Sequence, residues 1–385
     1  MQAQQEEKTS MRKNFAPTLL AGLIALGSMA TAAVAADVTI GASAPMTGPR
    51  ALLGKYFKQG VDMAVEEINA EGGVLGQPLS VSFEDDQADN PNAAINAMSK
   101  LKEVGKVPVV LGPHFSVAQL ATMKTYCDGS MISITGASGV PVTQQGCDFV
   151  IRIRGNDNLQ AQALVAYALE HLKTTKIGVI SIHDDFGKGG AERVVAALKD
   201  KGITPVANES HNAGDTDFSA QLSRLSSAGA ELVIMWTHDN ESALIVRQAR
   251  QFGLNFKFAG STSLSQPAFI NLAGPTGEGV ISATDFLPAN PDPNVKAFVE
   301  KFQKKYGELP ELYAATYYDS AKLAAEAINM AGSTDAKKVR EAFGKIDRQG
   351  VLAHYKCEQN GDCNHQTNII EIKNGQPNLL TVVKF

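Results

Sequence analysis

Tryptophan occurs once in the 385 residues, at Trp236, and aromatic residues make up only 6%. Positive charge is not in excess. The 35 Lys and Arg face 40 Asp and Glu, a net charge of −5, which argues against a chain that holds nucleic acid through a basic field. Only one long apolar run is present, at the N-terminus, so a multi-span membrane protein is excluded. The sequence has no G-x-x-x-x-G-K-[ST], no G-x-S-x-G, no H-E-x-x-H and no C-x-x-C. Those absences remove the P-loop, the strained serine elbow, the zinc helix and the paired-thiolate metal site, each of which needs its residues at that spacing. What remains is ordinary globular material, 44% hydrophobic and 19% charged. The length exceeds what one core usually fills, so two domains are expected.

The apolar run reads as a leader. Met11-Arg12-Lys13 is a basic start, Ala16 to Ala33 is rich in Ala and Leu, and Ala33-Val34-Ala35 offers the small-x-small pattern of a cleavage site. A signal peptide over residues 1–36 is expected, with Met1 or Met11 as the start, and export to the periplasm. No cysteine follows the run to take a lipid. Cleavage would take the net charge from −5 to −6, because residues 1–36 hold three basic and two acidic side chains.

Export gives the four cysteines a meaning. An even number in an oxidising compartment predicts disulfides. Cys357 and Cys363 flank Asn360-Gly361-Asp362, a turn that would bring them within bonding range, and Cys127 and Cys147 then pair with each other. Only His365 stands near the second pair, so neither a metal nor any other cofactor is expected.

From Val38 onward, strand-like and helix-like segments alternate. Val38–Ala44, Leu79–Phe83, Val107–Leu111, Ile132–Thr135 and Phe149–Ile153 read as strands with helical segments between them. The pattern restarts at Gln160–Leu172, with strands over Lys176–Ile182, Ile203–Ala207, Leu232–Trp236 and Val280–Ala283. Such alternation means parallel sheets flanked by helices. Asn294–Tyr306, Tyr313–Ala331 and Ala336–Phe343 are consecutive helical segments, and two short strands around a turn close the chain. No low-complexity linker separates the halves, so they exchange chain more than once.

Enzyme readings find little support. Phe186-Gly187-Lys188-Gly189-Gly190 is glycine-rich but fails the dinucleotide fingerprint, and reads as a tight strand-to-helix turn. His183-Asp184 and His238-Asp239 are sequence neighbours, whose side chains diverge in an extended segment, so neither makes a triad. Position is more informative. Ligands bind beyond the carboxyl ends of parallel strands. Those ends carry Pro45–Thr47, His114–Ser116 and Gly136–Ser138 in the first half and His183–Phe186, His238–Asn240 and Ser261–Ser263 in the second. Two such edges face to face make a cleft whose hydroxyls and helix-start amides suit a carboxylate.

Together these features resemble the Leu/Ile/Val-binding family of type I periplasmic solute-binding proteins, which serve branched-chain amino acid ABC transporters. The resemblance covers the whole mature chain. It rests on Ile40-Gly41-Ala42, Thr47-Gly48-Pro49, the run from Ala64 to Gly73 (AVEEINAEGG), Asp85-Asp86, Leu111-Gly112-Pro113, Phe186-Gly187, Asp217-Phe218-Ser219 and Arg247-Gln248-Ala249. It implies an α/β fold of two doubly wound parallel-sheet lobes joined by three crossover strands. Lobe one would hold residues 37–155 and 287–353, and lobe two residues 156–286 and 354–385. It also implies a monomer that captures a small carboxylate ligand by hinge closure and hands it to a permease, without chemistry. An enzyme on the same fold and the ligand-binding partner of a sensor are the competing classes.

Carried over by position, Ser116 matches the hydroxyl that holds the ligand carboxylate, with Gly136, Ala137 and Ser138 beside it. His114 and Phe115 would line the pocket. Phe186 and His238 fall where the family usually has Tyr, and Tyr313 would add an aromatic wall. One position departs. Amino-acid binders carry an acid after the glycine that follows Lys257-Phe258-Ala259, to face the ligand ammonium, whereas this chain has Gly260-Ser261-Thr262-Ser263. Thr262 supplies no charge. Either Asp184, Asp185 or Asp239 takes over, or the ligand is an amine-free aromatic or aliphatic carboxylate.

Overall fold

The computed structural model describes residues 37–88 and 90–385. The expected signal peptide and its cleavage site lie outside the described residues.

The first half runs β1 (Val38–Ala44), α1 (Ala51–Ala70), β2 (Leu79–Asp85), α2 (Pro91–Glu103), β3 (Val109–Leu111), α3 (Ser116–Tyr126), β4 (Ile132–Thr135) and β5 (Val150–Arg152). The second runs α4 (Asp157–Tyr167), β6 (Ile177–Ile182), α5 (Asp185–Asp200), β7 (Ala207–His211), α6 (Ser219–Ser227), β8 (Leu232–Trp236), α7 (Asp239–Gln251), β9 (Lys257–Gly260), α8 (Pro267–Ala273) and β10 (Ile281–Thr284). Three helices follow, α9 (Pro293–Tyr306), α10 (Leu312–Ala331) and α11 (Ala336–Phe343). The chain ends on β11 (Asp347–Gln349), β12 (His354–Lys356), β13 (Gln366–Lys373) and β14 (Gln376–Lys384). Local chemistry sets the boundaries. The Asn90 side chain accepts from the first amides of α2, where Pro91 has no N–H to lose, and Gly332 ends α10 in the left-handed conformation.

One sheet has the order β2-β1-β3-β4-β5, and all its pairings are parallel. The other reads β14-β13-β10-β9-β8-β6-β7. Its stretch β7-β6-β8-β9-β10 is parallel and repeats the order of the first sheet, so each lobe has its switch point at corresponding strands, β1/β3 and β6/β8. The two short closing strands expected from the sequence extend this parallel stretch. β13 and β14 add an antiparallel hairpin, tight because Asn374 and Gly375 both take positive φ, as a two-residue turn of that hand requires. Pro377 is tolerated there because β14 is an edge.

One difference concerns β7. Ile203–Ala207 was expected as strand, but the Ile203 amide bonds back to Leu198 O and closes the end of α5, and Pro205 has no amide to give. Pairing with β6 therefore begins at Ala207.

α9, α10 and α11 pack on the first sheet, with Phe302, Tyr317, Leu323 and Phe343 buried in one cluster with Ile40, Phe57 and Ile134. α1 lies against α10 so closely that a Cβ on Gly60 would come 2.1 Å from Ala314 O. Val179, Ile234 and Trp236 centre one core face of the second sheet, and Val233 and Phe258 the other. The chain passes between lobes three times, after β5, after β10 and after β12. The third passage comes later than the expected boundary at residue 354. Tyr355 and Cys363 belong to the first lobe's core, and the chain joins the second sheet from β13 onward. Disulfides join Cys127 to Cys147 and Cys357 to Cys363. Among the described residues, no helix is long and apolar enough to cross a membrane.

Candidate functional site

Six strand ends, that of β5 through Arg154 among them, and one helix start converge on a cavity of about 50 Å³ between the lobes. From the first lobe come His114, Phe115 and Ser116 after β3, and Gly136 and Ser138 after β4. The second lobe contributes Asp184 and Phe186 after β6, His238 after β8, and Thr262 and Ser263 after β9. Tyr313, in the first turn of α10, closes the side. Every site residue expected from sequence is here except Ala137. Its amide donates to Thr135 Oγ1 at 2.9 Å, and its methyl packs with Met98, Leu101 and Val142.

The walls are mostly rings. His114 stacks on Tyr313 with centroids 3.8 Å apart, and Phe186 stacks on His238 at 5.1 Å. Phe115 meets His238 edge-on at 5.7 Å. Gly136 is needed at its position, since a Cβ there would come 2.6 Å from His114 Nδ1.

Arg154 was not foreseen, and it lines the cavity. Its Nε donates to Asp285 Oδ2 at 2.7 Å, one Nη1 to Gly136 O at 3.0 Å and His114 Nε2 at 3.1 Å, and Nη2 to Thr262 Oγ1 at 2.8 Å. A guanidinium only donates, so His114 Nε2 accepts. Burial, and then the Arg154 charge, hold His114 well below its ordinary value, so the ring is neutral. Its proton therefore sits on Nδ1 and is given to Tyr317 Oη, 3.1 Å away. The residue two before it does similar work. Arg152 donates through Nε to Asp362 Oδ1 at 2.7 Å and through Nη1 to Gly139 O at 2.6 Å. Arg152 thus ties the first passage between lobes to the third, through Asp362, and Arg154 ties it to the second, through Asp285. A signal was present in the sequence: two arginines alternate within the apolar run Phe149–Ile153 and its continuation, and arginine is rarely buried unless paired.

Of the three carboxylates considered as substitutes at position 262, only Asp184 lines the cavity. Asp185 is exposed on α5, and Asp239 is held by Arg50 at 2.6 Å. Asp184 caps α5 by accepting from the Gly187 amide at 2.7 Å, and its other oxygen accepts from His238 Nε2 at 3.1 Å. Burial pushes its carboxyl up. The His238 bond and charge, the Gly187 amide and the Arg50 charge outweigh that and leave it below the ordinary carboxylate value, hence ionised at neutral pH.

Facing it, Ser116 is the first residue of α3. Its Oγ accepts from the Gly139 amide at 3.1 Å, which leaves the hydroxyl hydrogen to be donated into the cavity. One wall therefore offers a hydroxyl, the start of a helix and a guanidinium, which suit an anion. The opposite wall offers one carboxylate. Outside this cavity, a wider vestibule of about 610 Å³ opens between Thr47–Arg50 of the first lobe and Ala213–Thr216 of the second.

A family model described as periplasmic binding protein matches residues 37–377. The chain is 31% identical over 355 residues to a Leu/Ile/Val-binding protein homolog of Brucella suis, covering 91% of this chain and 94% of that relative. It is 32% identical over 343 residues to a leucine-, isoleucine-, valine-, threonine- and alanine-binding protein of Pseudomonas aeruginosa, covering 88% and 91%. Among solved structures, a leucine-binding protein of Thermotoga maritima superposes with a TM-score of 0.84 at 27% identity, over 90% of this chain and 99% of that one. A branched-chain amino acid transporter substrate-binding protein of Streptococcus pneumoniae, in complex with isoleucine, matches with TM-score 0.84 at 25% identity, over 91% and 100%.

Proposed function

Because the chain belongs to the periplasmic Leu/Ile/Val-binding protein family, we propose that it is the periplasmic capture component of an ABC importer for a branched-chain or related amino acid. The lobes turn about the three passages, close on the ligand and present the closed form to the permease. The protein binds and releases, and performs no chemistry. The observation that carries the amino-acid reading is the opposition of Ser116 and Asp184 across the cavity, an anion-binding wall facing an ionised carboxylate. A zwitterion satisfies both, and a buried ammonium needs such a counter-charge.

Arg154 favours a second reading. Where amino-acid binders of the family have an acid, Thr262 instead accepts from a guanidinium. An amine-free aromatic or aliphatic acid would find a cation and a ring-lined slot there, with Asp184 already engaged by His238.

A thermal-shift screen of amino acids, each beside its deamino analogue, separates the two. Binding at a hundredfold excess over the dissociation constant adds about 2.7 kcal/mol of stability, which is readily seen. A shift with leucine or valine and none with their deamino acids is the expected result. The reverse pattern overturns the amino-acid reading in favour of the second. No shift with any member overturns both.

A further inference from the structure

One ion pair stands between the ligand cavity and the vestibule. Arg50 lies just before α1 in the first lobe, and Asp239 is the first residue of α7 in the second. Arg50 Nη1 is 2.6 Å from Asp239 Oδ1, with both side chains less than a tenth exposed. Arg50 lines the vestibule. Its guanidinium carbon is also 5.3 Å from the centre of the Phe115 ring, which walls the cavity. In the chain, Asp239 separates His238, a cavity residue, from Asn240, a vestibule residue. The pair therefore forms part of the partition, and each half comes from a different lobe.

Arg154 and Thr262 also bond across the cleft, but Arg154 sits on the first passage between lobes, where a rotation displaces it little. Arg50 and Asp239 lie off the passages, so turning the lobes apart must separate them. Separation would expose a desolvated charge pair and lift Arg50 from the Phe115 face.

We propose that Arg50 and Asp239 form a latch, a pair of positioning residues that hold the closed cavity against the vestibule and set how long a captured ligand stays. This rests on the capture reading. Breaking one side of a buried pair acts chiefly on dissociation, so ligand release quickens by about 30-fold or more.

The test is small-angle scattering of the purified protein with an equimolar panel of the twenty amino acids and their deamino analogues. Stopped-flow release of the panel member that most stabilises the wild type follows, read by Trp236 fluorescence. Wild type is expected to be compact with the panel. Arg50→Asp and Asp239→Arg should each scatter as a more open particle and release faster, and the double exchange Arg50→Asp/Asp239→Arg should regain the compact form. A pair that merely filled space would not be rescued by exchanging its charges. If charge reversal prevents folding, Asp239→Asn keeps the shape and must still release faster. Single variants as compact and slow as wild type overturn the latch, as does a double exchange that stays open. If no panel member stabilises or compacts the wild type, the capture reading fails and the latch with it. That failure is read on wild type alone and cannot be confused with the others.

Discussion

Ser116 is placed to act through one hydrogen. With its oxygen lone pair committed to the Gly139 amide, the hydroxyl donates into the cavity. A hydrogen bond to a charged group is worth about 1.5–3 kcal/mol, so Ser116→Ala should raise the dissociation constant about 10- to 150-fold. The ligand-free protein should still fold but melt somewhat lower, since the buried Gly139 amide loses its acceptor at a cost of about 1–3 kcal/mol. Calorimetry with the ligand found in the paired screen checks this, and unchanged affinity removes Ser116 from the site. Most of the cavity lining was legible at this scale because position carried it. Residues just beyond the carboxyl ends of parallel strands lie along the cleft edge, and that places His114, Ser116, Phe186 and His238 in the cavity lining. Ala137 failed because alternation within a turn cannot say which residue faces inward. Arg154 was missed for a different reason. Its partners Asp285 and Thr262 are more than a hundred residues away, and nothing local says that a passage between lobes lines the cavity.

At the scale of the helix, α10 delivers Tyr313 to the cavity from an unusual cap. Glu311 accepts from the Ala314 amide at 3.0 Å while nearly fully buried. Burial pushes its carboxyl up to about 8, against the backbone bonds and the Arg154 charge, with Asp239 adding to the rise. Below pH about 4.5 the group is protonated in both folded and unfolded chains and contributes no difference. Between about 4.5 and 8 the unfolded chain loses its proton while the folded one keeps it, so folding takes up a proton and stability falls as pH rises. Glu311→Gln keeps the capping oxygen and removes the titration. It should stabilise the protein by on the order of a few kcal/mol at pH 8 and by little at pH 4. Melting curves across that range decide the matter, and equal shifts at both ends would disprove it. The disulfides act at this scale too. Cys127–Cys147 pins the end of α3 across 20 residues and is worth about 3 kcal/mol by loop entropy, while Cys357–Cys363 spans only 6 and is worth less. Cys127→Ser/Cys147→Ser should therefore lower the melting temperature more than the equivalent change at the second pair. Thiol titration of the denatured, unreduced protein should find no free thiols.

For the whole molecule, the alternating pattern made the two sheets legible, whereas the placing of the C-terminal helices in the first lobe came from the family resemblance and not from the pattern. Helical periodicity shows that α10 has an apolar face. It does not show that Gly60 lets α1 approach the backbone at Ala314, which is what assigns α10 to the first sheet. The β13–β14 hairpin had its Asn374-Gly375 signal, yet its docking beside β10 depends on a long-range pairing that no local pattern encodes. One consequence is that neither lobe is a continuous piece of chain. The first sheet ends at β5, but its core is completed by Phe302, Tyr317, Leu323 and Phe343, which arrive after the second lobe has been built. A fragment of residues 37–280 would hold every strand of the first sheet and still expose the apolar face that α9 to α11 cover. It would also lack Asp285 and Asp362, leaving Arg154 and Arg152 as buried cations without their carboxylates, and breaking such pairs costs about 3–5 kcal/mol each. That loss is comparable with the whole stability of a typical domain. The fragment should therefore show no cooperative thermal transition by circular dichroism and should bind a dye for exposed apolar surface, while residues 37–385 melt as one unit. A sharp transition in the fragment would mean that the first lobe folds without its C-terminal helices, and that the two arginines do not need the later passages to be buried.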